Sequence, residues 1–265
     1  VCLFSLAAFG WGRSSAELWI RESVYYFSTA ATLGFLYYLY RWLQGAWPSV
    51  KPARNAFWVG GLLVLLSCLF LWVHADFGFK TFPVEYEDAS VARNMHEYRG
   101  AFVTRSGLIQ AKEFLPAETF VTPRMWLYPY WVASAHDVVG YQANAPLGVN
   151  FILLPIFLAM FFYFIWRMAG TLTAVLATML WLSLPLLLQS ATGGGASLLG
   201  LMFLMFVSVL GAAYLRAPSR EIEGALVLGA ILLLYTSLSA LCFVVPVLLM
   251  VALGWARSGQ RFLSV

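Results

Sequence analysis

Long apolar runs alternate with short polar connections along the chain, and one connection is far longer than the rest. A membrane-spanning helix needs ~20 mostly apolar residues. Val24 to Leu43, Ala56 to Ala75, Val149 to Trp166, Thr171 to Gln189 and Leu198 to Leu215 meet that measure. Ala225 to Trp255 is 31 residues long, too long for one untilted span. Thr236-Ser237 near its middle, with Pro246 beyond, predicts two helices or a broken one. Val1 to Phe9 is apolar without a basic flank and reads as the tail of a truncated helix. The pattern predicts an all-α fold, a polytopic transmembrane helical bundle of about six to eight spans.

Between Asp76 and Leu147 the pattern changes to a large loop. Glu87 to Arg99 predicts a short amphipathic helix closed by Gly100. Thr122 to Val139, with Pro123, Pro129 and the rings of Trp126, Tyr128, Tyr130 and Trp131, predicts a helix lying at the membrane interface. Basic residues in short loops favour the cytoplasm. Arg41, Lys51 and Arg54, then Arg167, then Arg216 and Arg220 mark three loops on one side, so 76–147 and 190–197 face outward. Trp19, Tyr25 and Tyr26 at one end of a span, with Tyr37, Tyr38, Tyr40 and Trp42 at the other, suit two interfacial aromatic belts.

Composition sharpens this picture. The chain is 62% hydrophobic and 11% charged, whereas a soluble domain carries about 25% charged residues. Of 12 acidic residues, eight lie between Asp76 and Leu147, making that window a water-facing island. A disordered chain, a nucleic-acid-binding domain and a disulfide scaffold are excluded. Cys2, Cys68 and Cys242 sit in apolar segments without paired spacing, which gives no metal or redox motif.

Chemistry concentrates at Glu87-Asp88, at the start of the predicted short helix. The positive helix end favours ionised carboxylates there, and a general base must be ionised. The two side chains point about 100° apart, so one faces a reaction while the other supports the loop or binds a cation. A solvated helix with an acidic first turn is the plain alternative. Asp88 and His96 together offer a carboxylate and an imidazole to a divalent cation. No other cofactor is indicated.

The segment from Pro83 to Met95, with Glu87-Asp88-Ala89 and Arg93-Asn94, resembles the acidic motif in the first outer loop of glycosyltransferases of the GT-C fold, a group that includes the protein O-mannosyltransferases and the lipid A aminoarabinose transferase. Trp126-Leu127-Tyr128-Pro129-Tyr130, His136-Asp137, Gly140-Tyr141 and Asn150 are similar to the segment before that family's second core span. Gly224 to Pro246 is similar to its late helix with a polar break. The resemblance implies a GT-C-like module over 56–265 with outer loop 76–147, preceded by extra membrane helices over 1–55. It also implies an inverting enzyme that uses a polyprenyl-phosphate sugar and an acceptor hydroxyl on a glycan, lipid or protein. Glu87 and Asp88 would be the catalytic pair, with Glu87 favoured as the base from its place in the motif. Arg93, Asn94, Arg124, Tyr128 and His136 would meet substrate at the outer face, the bacterial inner (plasma) membrane being the expected location.

Two positions depart from the family. Glu87 stands where the family has Asp, and Tyr235-Thr236-Ser237 lacks the cation that the family places against the donor phosphate. Gly193, Gly194 and Gly195 are the candidate replacement, because bare backbone N–H groups at a helix start suit an anion; a flexible turn is the alternative. Arg99 and Arg105 add cations to the outer window, as interfacial snorkelling also would. Two other classes stay open: a transporter or lipid flippase, which needs ionisable groups within spans or inverted repeats, and a non-catalytic membrane scaffold.

Overall fold

A computed structural model describes residues 13–50, 54–80, 84–110, 113–121, 125–237 and 240–258. The chain runs α1 (Arg13–Val50), α2 (Arg54–His74), α3 (Val84–Tyr98), β1 (Val103–Gln110), β2 (Glu113–Phe120), α4 (Leu127–Val139), α5 (Ala145–Ala169), α6 (Thr171–Leu182), α7 (Pro185–Thr192), α8 (Ser197–Arg216), α9 (Arg220–Leu234) and α10 (Leu241–Ser258). The fold is mostly helical. Among the described residues three helices, α5, α8 and Asn55–His74 of α2, are long and apolar enough to cross a membrane, and α6 with α7 makes a fourth if taken as one span.

That count is smaller than the six to eight expected from run length, for local reasons. The run 171–189 is bent by 71° between α6 and α7, where Pro185 lacks an N–H and biases Leu184 away from the helical region. Leu184 is extended, with ψ 120°. The run 225–255 is interrupted as the polar pair predicts: α9 ends at Leu234 and α10 begins at Leu241. There the Thr236 hydroxyl donates to Leu233 O (2.7 Å), a local bond that competes with helix continuation. The N–H of Leu127 caps the end by donating to Tyr235 O (3.1 Å). At 15 residues, α9 reaches only about 22 Å, short of the ~30 Å hydrocarbon core.

Two further corrections concern the loop. The short helix begins at Val84, three residues earlier than expected, which brings Glu85 into its first turn. An antiparallel hairpin, β1 with β2 and Val103 opposite Phe120, follows it, so the fold is not purely α. The interfacial helix becomes α4, which is largely buried through Leu127, Tyr128, Tyr130, Val132 and Ala133; Pro123 and Arg124 lie outside the described residues.

Backbone bonds gather these pieces at one end of the bundle. The N–H of Ala101 donates to Arg21 O (2.9 Å), and that of Gly78 to Thr192 O (3.2 Å). The α2–α3 connection, α3, the hairpin, α4, the α7–α8 turn and the α9–α10 break therefore share that end, above a core that includes Leu153, Leu198, Phe203 and Leu226. Helix α9 is well started: the Ser219 side chain accepts from Ile222 N (3.3 Å), with Glu221 and Glu223 in its first turn. Both are stabilising at a helix N-terminus.

Candidate functional site

The site grows from α3. Positions 85 and 88 are three apart, 60° around the helix from each other, and so share a face. Both are buried, Glu85 at 4% and Asp88 at 6% exposure. A buried carboxylate is costly unless hydrogen-bonded. Glu85 meets this with Oε2, which accepts from Lys80 N (2.8 Å) and Gly194 N (3.1 Å). Asn150 on α5 grips the same glycine turn from its other side, its Nδ2 donating to Gly193 O (2.8 Å), Gly195 O (2.9 Å) and Ser190 O (3.2 Å). The turn is thus held by its N–H and its carbonyls at once. A Cβ at Gly194 would sit 2.7 Å from the Phe79 ring, and one at Gly193 2.9 Å from Gln189 O. Close approach to these neighbours is what the glycines permit.

Beside the turn lies a cavity of about 760 Å3. Its polar lining is Glu85, Asp88, Ser190, Ser197, Thr236 and Ser237. Its apolar lining includes Met125, Leu186, Leu201, Leu204, Leu233 and Phe243. Among the described residues that line it there is no Lys or Arg. The cavity joins α3, the α7–α8 turn and the α9–α10 break, so the bends at Pro185 and Thr236 are what open it.

The residues singled out from the sequence separate into groups. Asp88 and Gly195 line the cavity; Glu87 is half-buried and is not among the lining residues. Tyr128 is buried nearby and donates to Pro146 O (2.9 Å). Burial, then the charges of Asp88 and Glu85, push its phenol well above the ordinary range. Asn94 acts as a clamp, its Nδ2 donating to Phe102 O (2.8 Å) and Thr104 Oγ1 (3.0 Å) to fix the entry to β1. Arg93 donates to Glu97 Oε1 (2.8 Å) and lies over the Tyr141 ring. Arg105 lies over Phe120.

The far end of α3 holds a second polar group. Asp137 receives Arg99 Nη1 (2.6 Å) and the Tyr25 hydroxyl (2.8 Å) on Oδ2, while its Oδ1 lies 2.6 Å from His96 Nδ1. Burial alone would raise the Asp137 carboxyl, but the hydrogen bonds from Arg99, His96 and Tyr25 outweigh it and hold the carboxyl below its ordinary value. His136, beside it, accepts from Gln142 N (3.3 Å), and burial pushes its imidazole below the ordinary value.

Two expectations need correction here. Asp88 and His96 are eight positions apart on one unbroken helix, about 12 Å along its axis, so they do not share one ion. Among the described residues no group of three or more His, Cys, Asp or Glu is arranged to hold a metal. The Gly194 N–H, read as a donor for a phosphate, already has an anion in Glu85.

Sequence reasoning passed over Glu85 because it weighed adjacency. Spacing of three was the available signal, since 85, 88, 91, 92 and 95 trace one buried helix face.

No family model, curated protein or solved structure matches the chain. Its class rests on fold and site alone. It is a mostly helical chain with three to four candidate membrane-spanning helices, carrying two buried carboxylates in a cavity at one end of the bundle.

Proposed function

We propose that this chain is an inverting glycosyltransferase of GT-C type, moving a sugar from a polyprenyl-phosphate donor to an acceptor hydroxyl. The observation that carries the reading is the pairing of Glu85 and Asp88 with a cavity otherwise walled largely by apolar side chains. A lipid-linked sugar is itself such a pairing, a polar reacting centre on an apolar tail. In this reading Asp88 is the general base. It takes the proton of the acceptor hydroxyl as the oxygen attacks the anomeric carbon, and the phosphate leaves with the electron pair of the broken C–O bond. Glu85, whose Oε2 is engaged by two backbone N–H groups, holds the glycine turn in place. Of the hydroxyls that line the cavity, those of Ser190 and Thr236 already donate to Leu186 O and Leu233 O, and Ser197 is the donor placed for the departing phosphate; charge stabilisation there is worth more in a water-poor site than in water. Arg124, next in sequence to the cavity residue Met125, is the cation to be tested with it.

The same proposal covers six to eight spans in total, with the loop 76–147 facing outward from the bacterial inner membrane. A cysteine at exposed Ser106 is then labelled from outside in intact cells, and labelling from the inside alone reverses the topology.

The deciding experiment reconstitutes the protein in lipid with a panel of polyprenyl-phosphate sugars and follows release of polyprenyl phosphate. Asp88→Asn should lower turnover ~10²-fold or more while the donor still binds. Loss in Glu87→Gln with full activity in Asp88→Asn moves the base to Glu87. No donor bound by the wild-type protein, or full activity in both variants, sinks the enzyme reading and returns the cavity to a transporter or scaffold.

A further inference from the structure

At the same end of the bundle a second hollow, of about 570 Å3, opens between α1, the end of α3 and the entry to β1. Its charged lining is Arg21, Glu22 and Arg99. Arg99 is already balanced by Asp137 at 2.6 Å. Arg21 is not. Its guanidinium lies 4.1 Å from the centre of the Phe102 ring, with one long contact to Thr119 Oγ1 (3.5 Å). Among the described residues neither Arg21 nor Glu22 has an ion-pair partner. The two are consecutive on α1 and point about 100° apart, so they do not neutralise each other. Among the described residues the hollow thus presents one cation and one anion without an ion-pair partner.

Around it the surface has the character of a membrane interface. Trp19, Tyr26 and Tyr98 are exposed, and so is Leu18. Rings of this kind sit with their apolar body in the acyl region and their polar edge at the headgroups.

We propose that this hollow binds a phosphoethanolamine lipid headgroup, its phosphodiester on Arg21 and its primary ammonium on Glu22, with the chains leaving past Leu18 and Tyr26. Guanidinium is suited to a phosphodiester through paired N–H donors, and the Phe102 ring beneath it restricts its movement. A primary ammonium donates hydrogen bonds to Glu22 where a quaternary ammonium has none to give. A glycerol headgroup brings no cation, and a free phosphate dianion meets repulsion from Glu22.

The test is native mass spectrometry of the purified protein with the dioctanoyl forms of phosphatidylethanolamine, phosphatidylcholine and phosphatidylglycerol, and with inorganic phosphate as competitor. The ethanolamine lipid should be retained about tenfold better than the other two, a difference of about 1.4 kcal/mol. Arg21→Gln should abolish that retention, and Arg21→Lys should restore part of it. Glu22→Gln, at an exposed position, should shift the preference to the glycerol lipid. Equal retention of all three lipids, unchanged retention in Arg21→Gln, or displacement by millimolar inorganic phosphate overturns the assignment, the last by giving the site to free phosphate.

Discussion

A carboxylate group stands at each end of helix α3, and the two are set in opposite ways. Near its start, Glu85 and Asp88 are buried beside a cavity whose described lining has no cation. Three turns later, His96 and Arg99 meet the Asp137 carboxylate within 2.6 Å. The second arrangement is a strut: opposite charges neutralise each other and tie α3 to α4 and, through Tyr25, to α1. The first arrangement sets two carboxylates in the wall of a hollow, where a bound molecule can reach them. In the proposed reading the far end of the helix holds the structure, and Asp88 at the near end serves the chemistry.

The largest expected effect breaks this contrast most directly. If the proposed function holds, Asp88→Asn should cost ~10²-fold or more in sugar transfer, about 2.7 kcal/mol of transition-state stabilisation, with a smaller change in the unfolding midpoint than Asp137→Asn. Asp137→Asn should do the reverse, lowering the midpoint while per-molecule turnover of the folded protein is kept. Parallel assays of transfer and thermal unfolding on both variants make the comparison. If Asp137→Asn removed turnover as completely as Asp88→Asn, the division of α3 into a strut and a site would fail.

Next in size is Glu85→Ala. It leaves the buried N–H groups of Lys80 and Gly194 without their acceptor, and each such orphan costs about 1–3 kcal/mol. The expected loss of stability is about 2–4 kcal/mol, read by denaturant unfolding in detergent. A loss below about 1 kcal/mol would show that water or another group replaces the carboxylate, and Glu85 would no longer count as the brace of the glycine turn.

What the sequence made legible follows the strength of local signals. The break at Thr236-Ser237 was readable because two hydroxyls interrupt an otherwise apolar run, and that of Thr236 takes a local bond to Leu233 O where the helix stops. The bend at Pro185 was equally marked, yet the length of 171–189 suggested one straight span. The hairpin went unread: β1 has Gly107 in its middle and β2 has Pro116, so neither strand alternates cleanly enough to announce itself. At the site, Asp88 was legible from the charge pattern. Its neighbour in space was hidden because Glu85 lies outside the tripeptide that drew attention, and because its partners, Lys80 and Gly194, are backbone groups that no side-chain pattern reveals.

A smaller effect sharpens the account of the turn. A Cβ at Gly194 meets Phe79 ring carbons at 2.7 and 2.8 Å, whereas one at Gly195 meets nothing nearer than 3.5 Å. Gly194→Ala should therefore destabilise by about 1–3 kcal/mol through overpacking, and Gly195→Ala by well under that. Adding Phe79→Leu to Gly194→Ala should recover part of the loss, a coupling that a double-mutant cycle measures directly. Equal costs at the two glycines, or no coupling to Phe79, would mean that the turn yields elsewhere.

The smallest effect is the pH dependence at the strut, where two groups act in separate windows. The His136 imidazole is held below its ordinary value by burial, so the unfolded chain takes up its proton first as pH falls. Stability from this group is present above about pH 6.5 and declines as pH drops through and below that point. The Asp137 carboxyl is also held down, its hydrogen bonds to Arg99, His96 and Tyr25 outweighing burial. Its contribution is present above the ordinary aspartate value and is lost only below about pH 4. Each step should be worth about 1 kcal/mol, given that Asp137 keeps 23% of its side chain exposed and exposed pairs contribute little. Unfolding midpoints at pH 7.5, 5.5 and 3.5 should fall in two stages, with His136→Gln flattening the first and Asp137→Asn the second. A first stage that survives His136→Gln would assign it to another group, and His96, which lies against the same carboxylate, would be the one to replace next.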